Sequence, residues 1–238
     1  RVSVTPHPFV LRPPETQKQS FSKDDELVFN LLLFGDLNKR LPYFIYAFQQ
    51  AGRRGIGKRI NGRRPKFSLK QVSARGFEIY SDATETIEQA DAVETLSVNR
   101  ENVPQQASRV RLELKTPLRL KFNNRIERDL PFHVLVRAML RRISSLFTAY
   151  AGGEPDLDYK GLLERAATIR TQDNQLFWHD WERYSNRQKQ RMPMSGMAGS
   201  VTYEGDLGEF LPLLDICAKV HIGKNTAFGL GKIDSIIL

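Results

Sequence analysis

The sequence predicts an α+β protein of two similar halves, each opening strand, helix, strand, strand. Three observations carry this reading. Short apolar or alternating runs of strand length recur along the chain, and apolar stripes at helical spacing fall between them. The order in which the two kinds of segment follow one another also starts alike in both halves of the 238 residues.

Residues 26 to 35, ELVFNLLLFG, form a nearly continuous apolar run closed by Gly35, consistent with a buried strand. In NKRLPYFIYAFQQAG the side chains Leu41, Phe44, Ile45 and Phe48 recur at helical spacing, and Gly52 stands where a C-terminal cap is expected. FSLKQVSARGFEIYS holds two strand-like pieces around Arg75 and Gly76, a hairpin pattern. The acidic, polar stretch from 82 to 107 is poor in aromatics and marks the junction, giving domains 1–105 and 106–238. SRVRLEL then alternates, with Val110, Leu112 and Leu114 on one face and Arg109, Arg111 and Glu113 on the other. The stripe Phe132, Leu135, Val136, Met139, Leu140, Ile143, Leu146 and Phe147 predicts a long helix, with Arg137 and Arg141 off it. A shorter helix, LDYKGLLERAATI, follows Gly152 and Gly153. QLFWHDWERYS and SGMAGSVTYEG predict two strands, GEFLPLLDICAKV a helix with Phe210, Leu211, Leu214 and Cys217 inward, and TAFGLGKIDSIIL a final strand. The second half is therefore strand, helix, strand, strand, helix, strand, the βαββαβ or ferredoxin-like order. The whole reads as a tandem of two such domains with a C-terminal glycine-rich loop. That fold hosts many functions and decides none of them.

A chain of 238 residues is long enough to bury real cores, which excludes disorder as its main state. No run approaches the roughly 18 apolar residues of a membrane-spanning helix, so no membrane partner is expected and a cytoplasmic location is the expectation. The single Cys217 excludes an internal disulfide and a Cys-based zinc site. No Asp/Glu/His grouping has metal-ligand spacing, so neither a metal nor another cofactor is predicted. With 36 Lys+Arg against 27 Asp+Glu, a net +9, the chain favours a polyanionic partner, nucleic acid first.

The charge is unevenly placed. From Lys39 to Arg75 there are eleven basic residues and no acid. Within that window AGRRGIGKRINGRRPKF carries Arg53, Arg54, Lys58, Arg59, Arg63 and Arg64 together with four glycines and a proline. It reads as a mobile basic loop suited to phosphates, or as a solvated linker. Near the C-terminus, HIGKNTAFGLGKI puts Gly223, Gly229 and Gly231 at a helix-to-strand connection, with Lys224 and Lys232 beside them. Glycine lets backbone N–H groups approach phosphate oxygens and the lysine adds a point charge. The same small residues equally permit close packing of an edge strand. It is no Walker loop, which needs GxxxxGK[ST] between a strand and a following helix. The aromatic strand signature of a base-stacking RNA-recognition module is not found either.

Taken with the tandem order, five segments resemble a known family: PHPFVLRPP (6 to 14), LPYFIYAFQQAGRRGIG (41 to 57), RYSNRQ (183 to 188), SGMAGSVTYEG (195 to 205) and HIGKNTAFGLGK (221 to 232). They are similar to the CRISPR-associated endoribonucleases that process precursor CRISPR RNA, members of the repeat-associated mysterious protein (RAMP) superfamily. The resemblance implies a metal-independent endoribonuclease that binds CRISPR repeat RNA and cleaves precursor crRNA by 2′-OH attack, leaving a 2′,3′-cyclic phosphate and a 5′-OH. It implies CRISPR repeat RNA as partner and other CRISPR-associated proteins beside it. The alternative it leaves is a non-catalytic RAMP subunit that holds RNA in an effector complex. RYSNRQKQR, with Arg183, Arg187, Lys189 and Arg191, reads as a grip on a repeat stem or as a charged turn.

Metal-free cleavage needs a base, an acid and a positive donor; histidine suits the first two and Lys or Arg the third. Of four histidines His221 is the first choice, because it immediately precedes the glycines, with Lys224 as its charged partner. Against it, His221 continues the apolar helical stripe at i+4 from Cys217 and i+7 from Leu214, as a core histidine would. His179 shares a strand face with Phe177 and Trp181, His133 opens the long helix, and His7 precedes a strand. Family members resemble one another in placing a catalytic His on or near the first helix, where this chain has Tyr43 and Tyr46. Three possibilities follow: the base has moved to His221, cleavage rests on positioning by Lys, Arg and Tyr, or the chain binds RNA without cutting it.

Overall fold

The computed structural model describes residues 5–14, 16, 18, 20–88, 93–98, 106–122, 125, 126, 128–185 and 188–238. In chain order the elements are β1 (Phe9–Arg12), β2 (Asn30–Leu33), α1 (Leu41–Arg54), β3 (Gln71–Ala74), β4 (Phe77–Ser81), β5 (Arg109–Leu118), β6 (Lys121–Phe122) and β7 (Arg125–Ile126). There follow α2 (Phe132–Tyr150), α3 (Tyr159–Ala166), β8 (Arg170–Asn174), β9 (Phe177–His179), β10 (Glu182–Ser185), β11 (Gln190–Pro193), β12 (Gly196–Glu204), α4 (Leu211–Val220) and β13 (Ile233–Ile237). They form two compact units, Arg1–Leu33 with Ser97–Leu238, and Phe34–Leu96.

The larger unit is built on an antiparallel sheet in the order β13–β5–β12–β8, with β9 continuing along β12. β5 lies at its centre because its alternation holds: Val110, Leu112 and Leu114 are buried while Arg109 and Arg111 are exposed. It pairs Leu112 with Val201 and Val110 with Tyr203 of β12. The core continues into the apolar stripe of α2, with Leu135, Val136, Met139 and Ile143 at 1% exposure or less, and into Leu211, Leu214 and Cys217 of α4. Phe132 stands edge-on to both Tyr203 and Phe210, at 4.8 and 5.0 Å between ring centroids. The buried Tyr203 hydroxyl donates to the Leu130 carbonyl at 2.7 Å, so no polar atom of that cluster is stranded. α3 begins where Asp158 accepts from the Gly161 amide at 2.9 Å, an N-cap.

Helix and sheet are mixed as the sequence predicts, but several bounds move. The apolar run 26–35 yields only the four residues of β2, which pair antiparallel with β1 from Phe9↔Leu33 to Arg12↔Asn30. QLFWHDWERYS divides: β9 follows β12, whereas β10 turns away to pair with β11. The final strand starts only at Ile233, because positive φ at Gly229 and Gly231 breaks extended backbone before it. β8, RTQDN, has no apolar residue and is exposed throughout; it is an edge strand held by β12 alone, so hydrophobic patterning could not announce it. The boundary expected at 105/106 cuts the chain differently from the compact units. The β1–β2 hairpin belongs with the later elements, since Val10 is fully buried and Leu11 to Pro13 lie against Gly229.

In the smaller unit α1 buries Ile45 and Gly52, and Gln49 donates to the Tyr80 hydroxyl of β4 at 2.7 Å. The basic segment after α1, expected as a mobile loop, is closed into a turn. Ile60 and Arg63 exchange both backbone hydrogen bonds, at 2.8 and 3.1 Å, around Asn61 and Gly62. Both turn residues have positive φ, 49° and 79°, as the Asn-Gly hairpin turn requires. Among the described residues, no helix is long and apolar enough to cross a membrane.

Candidate nucleic-acid interface

The segment from 221 to 232 is a tightly folded connection between α4 and β13. Ile222 and Gly231 are joined by an N–H···O bond of 3.0 Å, and Gly231 donates to the Pro117 carbonyl at 3.1 Å. Thr116 donates its hydroxyl to the Gly229 carbonyl and accepts from the Lys232 amide, both at 2.9 Å. A Cβ on Gly231 would stand 1.8 Å from the Ile222 carbonyl oxygen, and one on Gly229 would stand 2.5 to 2.7 Å from Pro13 and the Leu11 carbonyl. Both glycines are buried, so their service is to let chain segments meet rather than to touch a ligand.

Gly223 differs. With Lys224 it lies exposed, the Lys224 amide tied to the Arg119 carbonyl at 2.9 Å. Among the described residues, the amides of Gly223 and Asn225 donate to no protein acceptor. Gly223 and Asn225 both have positive φ, 83° and 63°, which turns the backbone sharply about Lys224. Two free N–H groups beside an exposed ammonium form a corner suited to an anion.

His221 is placed otherwise than its position suggests. It is fully buried. Its Nε2 accepts from Arg12 Nε at 2.9 Å, and since arginine only donates, that nitrogen carries the lone pair. Nδ1 therefore carries the proton and donates to the Leu230 carbonyl at 3.1 Å. Burial lowers its pKa to about 4; the Leu230 bond opposes this, and the charges of Arg12, Arg142 and Lys232 add to it. Neutral, enclosed and engaged at both nitrogens, the ring braces β1 against the 221–232 segment and has no nitrogen to offer a ribose hydroxyl. The remaining histidines are more open: His7 and His179 are exposed, and His133 is half-buried against Phe122.

Arg183 of β10 is brought to the corner's segment, its guanidinium 4.2 Å from the centroid of the Phe228 ring. Arg187 lies outside the described residues. Arg53, Arg54, Lys58, Arg59, Arg63 and Arg64 form an exposed basic cluster of the smaller unit, and among the described residues none of them pairs with a carboxylate. Tyr43 and Tyr46 of α1 are likewise exposed, at 68% and 61%. If the basic turn contacts RNA phosphates, Arg63→Ala with Arg64→Ala will weaken binding and reduce the slope of log affinity on log salt by about 1.4. Filter binding across a salt series checks this, and an unaltered slope removes the turn from the interface.

Residue-by-residue reading missed three side chains. Arg12 donates to His221 and also to the Lys219 carbonyl. Arg142, 9% exposed, donates to the Val220 carbonyl at 2.9 Å and the His221 carbonyl at 3.0 Å, capping the C-terminal end of α4; burial lowers its pKa to about 10. Its signal was present, since Arg142 falls on the apolar stripe of α2, i+3 from Met139 and i−4 from Leu146. Phe228, which carries Arg183, had no such signal.

The fold and the corner define a class: an α+β protein with a basic, glycine-containing turn between its last helix and last strand. The model of the CRISPR-associated endoribonuclease Cas6 family matches residues 112–233, just over half of the chain, and one described as an N-terminal domain matches residues 1–92. The chain belongs to the Cas6 family. An uncharacterized protein of Archaeoglobus fulgidus is 25% identical over 230 residues, covering 94% of this chain and 71% of its own length. Among solved structures, a Thermus thermophilus Cas6 product complex is 14% identical at a TM-score of 0.59, covering 96% of this chain and 81% of that one. A partial Cas6-RT-Cas1–Cas2 complex is 15% identical at a TM-score of 0.62, covering 98% of this chain and 39% of that one. A Cas6 substrate mimic complex is 16% identical at 0.54, with 96% and 85% covered. These likenesses show the fold.

Proposed function

We propose that this chain binds CRISPR repeat RNA and cleaves precursor crRNA without a metal, the ribose 2′-OH attacking the adjacent phosphate to leave a 2′,3′-cyclic phosphate and a 5′-OH. The observation that carries the reading is the exposed Gly223–Lys224–Asn225 corner, with two unengaged amides, an ammonium, and Arg183 held beside its segment by Phe228. Lys224 is set to neutralise the charge that grows on the phosphoryl oxygens as the fifth bond forms. With His221 engaged on both nitrogens and no histidine in α1, the 2′-OH proton leaves to solvent and the 5′-oxygen, as its bond to phosphorus breaks, takes a proton from solvent. Catalysis then rests on in-line positioning and charge stabilisation. The succession β5, α2, β8, β12, α4, β13 within the larger unit, with the sheet order β13–β5–β12–β8, supports a ferredoxin-like C-terminal domain, and the family match to 1–92 supports a separate N-terminal domain over 1–105. The partners are CRISPR repeat RNA and other CRISPR-associated proteins, in the cytoplasm.

The same two facts about histidine favour a second reading, a RAMP subunit that binds guide RNA without cutting it. One assay separates the two. The protein is incubated with repeat RNA in EDTA, and with the same RNA carrying a 2′-deoxyribose 5′ of the cut. Cleavage of the first and not of the second is the expected result. An uncut first RNA that is nevertheless bound selects the second reading, and a cut deoxy RNA overturns the 2′-OH mechanism.

A further inference from the structure

Several cations on the surface of the larger unit are paired. Lys160 meets Glu164, Arg165 meets Asp158 and Glu209, Lys219 meets Asp215, and Arg191 meets Glu182. Among the described residues Lys23, Arg109, Arg128, Arg170 and Lys189 are exposed and in no ion pair, and one strip gathers four more. α2 contains no Asp or Glu in 19 residues, and Arg137 and Arg141 stand one turn apart on its exposed side. The β6–β7 hairpin adds the exposed Lys121 and Arg125. Among the described residues, none of these four cations pairs with a carboxylate.

The strip is organised as well as charged. The Arg137 guanidinium lies 5.2 Å from the centroid of the Phe122 ring, and His133, one turn earlier on α2, meets the same ring edge-on at 6.2 Å. A guanidinium already held on a ring loses less rotamer freedom when it takes a ligand. Arg137 and Arg141 also line a depression of about 280 Å³ between α2 and α3, together with Ser144, Tyr159 and a Glu154 carboxylate that accepts from Ser144. The strip begins close to the Gly223–Lys224 corner, since Arg119, whose carbonyl accepts from the Lys224 amide, lies two residues before Lys121.

We propose that this strip is a second track for RNA, taking the backbone phosphates of the strand that runs off the Gly223–Lys224 corner; it extends the RNA-binding reading above and rests on it. Neighbouring cations that are paired with no carboxylate repel one another, and a polyanion relieves that repulsion. An RNA backbone offers a negative charge at every step, which suits guanidinium groups repeating along a helix about 6 Å apart.

The test is equilibrium binding, across a salt series, of repeat RNA carrying single-stranded polyuridine on both ends. Arg137→Gln with Arg141→Gln reduces the slope of log affinity on log salt by about 1.4, whereas the equal charge loss of Lys160→Gln with Arg165→Gln leaves it unchanged. Lys121→Gln with Arg125→Gln repeats the loss from the neighbouring hairpin, which keeps the test sound if one pair alters melting. Equal slopes for wild type and both strip variants, or an equal loss in the control, overturn the track. Unchanged RNA slopes with weakened binding to polyglutamate assign the strip to an acidic protein instead and also overturn it. Wild-type protein that binds no RNA at all overturns the RNA-binding reading itself.

Discussion

Gly231→Ala is expected to destabilise the larger unit by about 2–5 kcal/mol, as left-handed backbone costs a residue with a side chain about 1–2 kcal/mol and a lost buried hydrogen bond about 1–3. Gly231 has φ +71°, and a methyl group there would stand 1.8 Å from the Ile222 carbonyl oxygen. Relief requires the chain to part at Ile222–Gly231, where the 3.0 Å N–H···O bond crosses the connection. Gly231 is itself tied to Pro117, so the displacement would be felt at the end of β5, the central strand. Chemical denaturation reads the loss. A variant that unfolds at the wild-type midpoint shows that the connection yields without cost and that its conformation is not what shapes the corner.

His221→Ala is expected to cost about 2–4 kcal/mol, the range for truncating a large buried side chain. It removes the acceptor of Arg12 Nε and the donor to Leu230 together. His221→Asn should recover part of this, because the asparagine amide offers a donor near Nδ1. The wild type also carries a pH signature. The native ring binds a proton only near pH 4, whereas the unfolded ring does so near 6.5, so between those values the unfolded chain holds more protons. The stabilisation is complete above about pH 6.5 and is lost as pH falls towards 4, about 3 kcal/mol in all. His221→Asn should lack that dependence. If the chain cleaves RNA as proposed, this variant, assayed where it is folded, should keep the cleavage rate within a few-fold. A fall of about 10²-fold or more in the folded variant would return His221 to the reacting atoms.

Much of the fold was legible because it obeys two periods. The alternation of Val110, Leu112 and Leu114 and the stripe from Phe132 to Phe147 each require one buried face, and each has one. What escaped has no such period. β8 is polar on both faces, and the division of 177–185 into β9 and β10 depends on two different partner strands. The site was legible as composition and illegible as geometry. Three glycines, two lysines and a histidine within thirteen residues singled out the segment. Their tasks divide by burial: Gly229 and Gly231 inside, Gly223 and Lys224 outside, His221 locked between Arg12 and Leu230.

The amino-acid sequence alone determined the α+β class, the central strand and helices of the larger unit, the net positive charge with its acid-free stretch, and the family, since these depend on local periodicity and residue type. Only the tertiary structure decided which of those residues meet. Arg12 and His221 are separated by 209 positions, and whether an imidazole serves as a base or a brace depends on what faces its two nitrogens. The same holds for charge. Arg165 and Arg137 look alike in sequence, but one is neutralised across 44 residues by Glu209, and the other rests on Phe122 beside unpaired neighbours. Solvation and pairing are properties of contacts, and contacts between distant residues exist only once the chain has folded.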